Sequence, residues 1–130
     1  MARKASLLIL DDEPGTLASL SRAFRLAGHE ATVCDNANKA LELAKVDGFD
    51  LIFSDVVMPG KDGLAFLEEL RAGGVTTPVV MMSGQAHIEM AVRATRLGAV
   101  DFLSAHHGSS RRRLELRAWR RHVGEVGIQS

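Results

Sequence analysis

The sequence predicts an α/β domain built on a five-stranded parallel sheet, doubly wound with helices on both faces. Short apolar runs alternate along the chain with segments of helical period, the pattern of repeated βαβ units. The runs at Leu7–Leu10 and Val79–Met82 are continuously apolar and Leu51–Ser54 is mostly so, as strands buried on both faces are. The 130 residues, 46% hydrophobic and 25% charged, suit one globular domain with a real core.

Each element has a local reason. Leu7–Leu10 reads as the first strand and ends in Asp11-Asp12. Glu13-Pro14-Gly15 then opens a helix, with proline in the first turn where its missing N–H costs nothing. Leu17, Leu20, Phe24 and Ala27 recur at helical spacing and are expected to face inward, and Gly28 closes the helix. Ala31–Cys34 is a second strand. Asn36 can cap a second helix that turns Ala37, Leu41 and Ala44 inward. Leu51–Ser54 is the third strand, ending at Asp55.

Met58-Pro59-Gly60-Lys61-Asp62-Gly63 is a loop by its proline and glycine content, and Asp62 can cap a helix carrying Leu64, Leu67 and Leu70. Pro78 precedes the fourth strand, Val79–Met82, which runs into Ser83-Gly84. A helix with Ile88, Ala91, Val92 and Thr95 follows and closes at Gly98. Ala99–Leu103 is the fifth strand, and a last helix is expected over about Ser110–His122.

Composition narrows the classes of function. No apolar run approaches the roughly 18 residues of a membrane span. The basic start, Met1 to Ser6, precedes too short an apolar run for a signal peptide. The single cysteine, Cys34, excludes an internal disulfide and fits a reducing, cytoplasmic setting, where a small buried hydrophobe is its simplest role. The zero net charge conceals an asymmetry. Residues 1–105 carry 10 Lys/Arg and 14 Asp/Glu, whereas residues 106–130 carry 6 Arg and 2 Glu. The chain therefore divides into a core, 1–105, and an atypical basic segment, 106–130.

Functional crevices of open parallel sheets lie outside the carboxyl ends of the strands. Strand one ends in Asp11-Asp12, strand three in Asp55 and strand four in Ser83-Gly84. Three carboxylates and a hydroxyl are thus expected at one edge. Clustered carboxylates repel unless a cation offsets them, and a set of oxygen ligands suits Mg²⁺. A carboxylate beside such an ion can attack a phosphoryl group and form an acyl phosphate. His106-His107 lacks a third ligand at metal-site spacing, and His29, His87 and His122 read as surface or helix-end residues.

Three motifs, in order and correctly spaced, resemble the response-regulator receiver family: Leu8–Pro14, Ser54–Gly63 and Gly98–Leu103. The likeness spans about Leu7 to Leu103. The stretch Met81–Ala94 looks most like receivers of nitrogen-regulation-type activators. The resemblance implies a flavodoxin-like, CheY-like fold with strand order 2-1-3-4-5. It implies Asp55 as phosphoacceptor, Asp12 as a direct Mg²⁺ ligand, Asp11 as a ligand largely through water, and the Val57 backbone carbonyl as a further ligand. Ser83 would be the switch hydroxyl, and Phe102 the aromatic that moves behind it. The donor would be a sensor histidine kinase or phosphotransfer protein. The response would be a rearranged surface on helix four, strand five and helix five, read by an output protein or a lost effector domain.

Two features depart from the family. Ala105 stands where the family has a lysine that pairs with the phosphoacceptor, and His106 stands in place of the following proline. Lys61 or a C-terminal His or Arg is a possible substitute cation. The segment after it is also unlike the usual fifth helix, although Leu116, Trp119, Val123 and Val126 share one face and Arg113, Arg117 and Arg120 another. Three readings are open for it: a native replacement helix, a basic helix that binds a partner or nucleic acid (the composition argues against the latter), or a shifted reading frame. TCG-GCC-CAT-CAC encodes Ser104-Ala105-His106-His107, and restoring two A bases would read Ser-Lys-Pro-Ile.

Two functions compete: a phosphorylation-switched signalling domain, favoured by the acid triad, and a pseudo-receiver interaction module, favoured by Ala105. An aspartate-nucleophile phosphatase would need Asp-x-Asp, but Asp55 is followed by Val56-Val57, so the chain is not expected to be an enzyme. A flavin site would need a hydroxyl- and Gly-rich loop where this chain has acids.

Overall fold

The computed structural model describes residues 4–58, 60–83 and 88–104. Five parallel strands form one sheet in the order β2-β1-β3-β4-β5. The elements run β1 (Ser6–Leu10), α1 (Pro14–Leu26), β2 (Glu30–Cys34), α2 (Ala37–Val46), β3 (Leu51–Asp55), α3 (Gly63–Ala72), β4 (Val79–Ser83), α4 (Ile88–Arg96) and β5 (Asp101–Ser104). The α/β class and the strand order expected from the resemblance are both observed.

The apolar runs divide between two cores by the two-residue period of a strand. Leu7, Ile9, Phe53, Val80 and Met82 face one side with Leu17, Leu20 and Phe24 of α1. Leu8, Leu10, Ile52 and Met81 face the other, under α2 and α3. The central strands β3 and β4 are buried at every position, whereas the edge strand β2 buries only Ala31 on one face and Cys34 on the other. Phe24 stacks on Phe53 with ring centroids 5.5 Å apart, tying α1 to the middle of the sheet.

The capping expectations hold in detail. The Lys39 N–H donates to the Asn36 side chain at 3.1 Å, and the Ala65 N–H to Asp62 Oδ1 at 2.8 Å. Gly28 and Gly98 close α1 and α4 with φ of 90° and 96°, a left-handed geometry that a side chain would strain.

Two expectations are corrected. Ala27 does not face the core; it is the exposed C-cap of α1, and the buried face is completed by Ser21. Its spacing fits the stripe, but the helix stops before its side chain reaches the sheet. His29 is not a surface residue. It is 5% exposed, and the Ala5 N–H donates to its Nδ1 at 2.9 Å, so it closes the lower edge of the sheet. Cys34 is buried as expected, and burial raises its thiol pKa. Among the described side chains of α4 the fully buried one is Ala94, while Val92 and Thr95 are exposed. Ala105, His106 and the segment 106–130, with His87, lie outside the described residues.

Candidate metal and phosphoacceptor site

Strand register brings the acids together. Leu10 lies opposite Ser54, so the next residues, Asp11 and Asp55, emerge side by side at the carboxyl edge. Asp55 lies opposite Met82, which places Ser83 one residue further along the adjacent strand. Ser83 in turn pairs with Ser104, two residues beyond Phe102. One carboxylate oxygen from each of Asp11, Asp12 and Asp55 lies within 4.8 Å of the others. Asp11 and Asp55 are buried and Asp12 is exposed, so the cluster opens to solvent on one side.

The loops hold these side chains in place. The Glu13 N–H donates to Asp11 Oδ1 at 3.0 Å, and the Asp11 N–H donates to the Cys34 carbonyl at 3.1 Å. The Val57 N–H approaches Asp55 Oδ1 at 3.4 Å, a long contact. The Ser54 hydroxyl donates to the Asp55 carbonyl at 3.0 Å. Ser83 is buried, and Phe102 is partly buried against the core under α3. Lys61 is ion-paired with Glu69 on α3, which occupies the one nearby lysine offered as a substitute cation.

Gly63 is the residue whose importance spacing did not reveal. Its composition marks it only as a loop residue, yet it begins α3 pressed against the end of β3. Its N–H donates to the Val56 carbonyl at 2.8 Å. A Cβ there would overlap the Asp55 carbonyl oxygen and lie 2.8 Å from Met81 Cε. Its place at the end of the Ser54–Gly63 motif was the available signal. Beside this loop lies a cavity of about 450 Å³ lined by Val56, Val57, Met58, Leu64, Met90 and others. A depression of about 500 Å³ at the opposite edge, bordered by Lys4, Arg25, His29 and Glu30, is remote from the acids.

The donor set fits a hard divalent cation. Three carboxylate oxygens this close repel one another, and an ion that accepts oxygen ligands removes that cost. Among the described residues they form the one such group of three. No nitrogen or sulfur ligand belongs to it, which favours Mg²⁺ over transition metals. Receiver domains bind Mg²⁺ at an acidic pocket of this kind.

Known proteins agree with this geometry. The sequence pattern of the response regulator receiver domain matches residues 7–112, past Leu103, where the three motifs end. The regulatory protein AtoC of Escherichia coli strain K12 is 39% identical over 97 residues, covering 75% of this chain and 21% of AtoC. The transcriptional regulatory protein FixJ of Bradyrhizobium diazoefficiens is 35% identical over 103 residues, covering 79% of this chain and 50% of FixJ. The chain thus spans half or less of these curated relatives. The likeness to nitrogen-regulation-type activators is shared by AtoC. The chemotaxis protein CheY4 of Vibrio cholerae superposes with a TM-score of 0.82 at 26% identity, covering 92% of this chain and 98% of CheY4. No helix among the described residues is long and apolar enough to cross a membrane. With the match covering most of its length, this chain belongs to the response regulator receiver domain family, the phosphoacceptor signalling module of two-component systems.

Proposed function

We propose that Asp55 accepts a phosphoryl group from a sensor histidine kinase or phosphotransfer protein in a Mg²⁺-dependent, cytoplasmic reaction. The convergence of Asp11, Asp12 and Asp55 within 4.8 Å carries this reading. An Asp55 carboxylate oxygen forms the new O–P bond while the P–N bond of the phosphohistidine breaks. The electron pair leaves with the imidazole, which takes a proton, and the product is an acyl phosphate. Asp12, Asp55 and the Val57 carbonyl would hold the ion, with Asp11 acting largely through water. The bound cation supplies positive charge that offsets the approach of an anionic phosphoryl group to three carboxylates.

Asp11 keeps the β1–α1 loop in register through the Glu13 N–H, so Asp12 is presented at the solvent side. Ser83 supplies a hydroxyl beside the phosphorylated group, and Phe102 follows it inward. The added charge biases a rearrangement of α4 and β5 that an output protein, or an effector domain in the parent protein, reads. Direct nucleic-acid binding and membrane association are not part of this function.

Incubation with acetyl phosphate and Mg²⁺, followed by intact mass, tests the proposal. The expected result is one added phosphoryl group, absent in Asp55→Asn and in EDTA. An unmodified wild-type chain under these conditions overturns it. Ala105, in place of the family's lysine, favours a second reading as a pseudo-receiver that does not switch. Tight beryllofluoride binding without change at Phe102 or α4 would select that reading, and restored switching in Ala105→Lys would show what the alanine costs.

A further inference from the structure

β2 is an outer strand of the sheet, hydrogen-bonded to β1 alone. The Glu30 N–H donates to the Ala5 carbonyl at 2.8 Å, and the Cys34 carbonyl accepts from the Asp11 N–H at 3.1 Å. Successive residues of a parallel pair alternate between facing the neighbouring strand and facing away from it. The backbone groups of Glu30, Thr32 and Cys34 therefore face β1, and the N–H and carbonyl groups of Ala31 and Val33 point off the edge of the sheet. Such a row is a template for another strand. Among the described residues one of these four groups has a partner: Arg25, in the last turn of α1, donates through Nη2 to the Ala31 carbonyl at 3.1 Å. Ala31 is buried, whereas Val33 is 40% exposed.

The surroundings of this edge are basic. The depression of about 500 Å³ lies against the first half of β2, bordered by Lys4, Arg25, His29, Glu30, Ala31 and Thr32. Lys4 reaches Glu30 at 3.5 Å, but the two side chains are 62% and 65% exposed, and such pairs hold little. Arg22 lies one turn before Arg25 on the same flank of α1 and is exposed. Among the described residues no salt bridge joins Arg22 or Arg25 to a carboxylate. The Arg25 guanidinium thus spends its contact on one neutral carbonyl, although its planar fork suits a carboxylate better.

We propose that the outer edge of β2 is a docking site for an extended acidic segment of a partner protein, with Arg25 as the residue that exchanges partners. The segment adds to the sheet at Ala31 and Val33, and one of its own N–H groups replaces Arg25 on the Ala31 carbonyl. The freed guanidinium turns to an acidic side chain of the segment, seated in the depression beside Lys4. A neutral segment displaces Arg25 without gaining that charge-assisted pair, so the edge discriminates against it. A second copy of this chain fits less well, because pairing β2 with β2 would bring the Arg22 and Arg25 side chains of two α1 helices toward each other. The site is remote from Asp55 and does not depend on phosphoryl uptake there.

Fluorescence anisotropy on the full chain tests this with two end-blocked, fluorescein-labelled peptides, Thr-Val-Thr-Glu-Thr-Val-Thr and the same peptide with Gln at its centre. The pattern sets the central side chain on the Ala31 face and a valine opposite Val33 in either strand direction. The Glu peptide should bind about tenfold more tightly than the Gln peptide. That preference should vanish in Arg25→Met. Arg25→Lys keeps the charge and lacks the fork, so it should show an intermediate preference, which reads the site even where Arg25→Met folds poorly. Hydrogen–deuterium exchange should show the Glu peptide protecting the Ala31 and Val33 amides and leaving Asp101–Ser104 of β5 unchanged. Equal affinity for the two peptides, no binding of either at about 1 mM, or protection at β5 in place of β2 overturns the proposal. Sedimentation equilibrium showing a peptide-free dimer with Ala31 and Val33 protected would assign the edge to a second copy and overturn it as well.

Discussion

Replacing Gly63 by alanine sets two effects of opposite sign against each other. In a helix, Gly→Ala is normally favourable by up to about 1 kcal/mol, because alanine loses less backbone entropy. At residue 63 the new Cβ would overlap the Asp55 carbonyl oxygen and crowd Met81 Cε at 2.8 Å. The methionine can turn aside, but the carbonyl belongs to the last residue of a buried central strand. Relief requires α3 to lift off β3, lengthening the 2.8 Å bond from the Gly63 N–H to the Val56 carbonyl. Overpacking of this kind costs about 1–3 kcal/mol, and a backbone obstacle puts it at the upper end. The net loss is about 2 kcal/mol. At about 2.1 cal/mol/K per residue, the unfolding entropy of 130 residues is about 270 cal/mol/K, so Tm should fall by about 7 °C. Differential scanning calorimetry reads this directly. Because the strain moves the main chain of Asp55, a Mg²⁺ titration should also show weaker binding. A Gly63→Ala chain that melts at or above the wild-type temperature refutes the steric reasoning.

The acid cluster and His29 give further expected outcomes. Mg²⁺ at about a hundredfold excess over its Kd should stabilise the wild type by about 2.7 kcal/mol, and EDTA should reverse it. Asp12→Asn should lose most of that gain yet melt no lower than wild type in EDTA, since one of three mutually repelling charges is gone; full Mg²⁺ stabilisation of the variant would show that the cluster is not the site. Burial lowers the pKa of His29 below its ordinary 6.5, so the folded state resists a proton that the unfolded chain takes up. Stability should be insensitive to this group above pH 6.5 and should fall as pH drops from 6.5 toward the lowered folded value, by at most about 1.4 kcal/mol per pH unit. His29→Gln, which keeps an acceptor for the Ala5 N–H, should flatten that slope in urea-melt series, and an unchanged slope would remove His29 as its source.

Much of the fold is legible in the chain because its signals are local. Leu7–Leu10, Leu51–Phe53 and Val79–Met82 are apolar at every position because both faces of a central parallel strand are covered, and the structure buries them on both sides. Asn36 and Asp62 announce helix starts because the capping bond spans only three residues. The positions of Asp11, Asp12 and Asp55 at strand ends follow from the same runs, since a strand must stop where charge begins.

What the chain could not specify are contacts between segments distant in sequence. Periodicity marks Ala27 as inward, but α1 ends too soon for it to reach the sheet; the same rule misses that Ala94 of α4 is fully buried while Val92 stays in solvent. His29 carries no local sign of burial, because its partner Ala5 lies 24 residues away. Nor does Arg71 differ in sequence from any arginine in a last helical turn, yet it clasps Gly98 across 27 residues. Composition and periodicity decided which residues form the layers and which strand ends are acidic, because hydrophobic burial and capping act over one or two turns. The tertiary structure alone decided that the three carboxylates meet within 4.8 Å and that residue 63 must lack a side chain. Strand register and close packing set those distances, and both are properties of the assembled sheet.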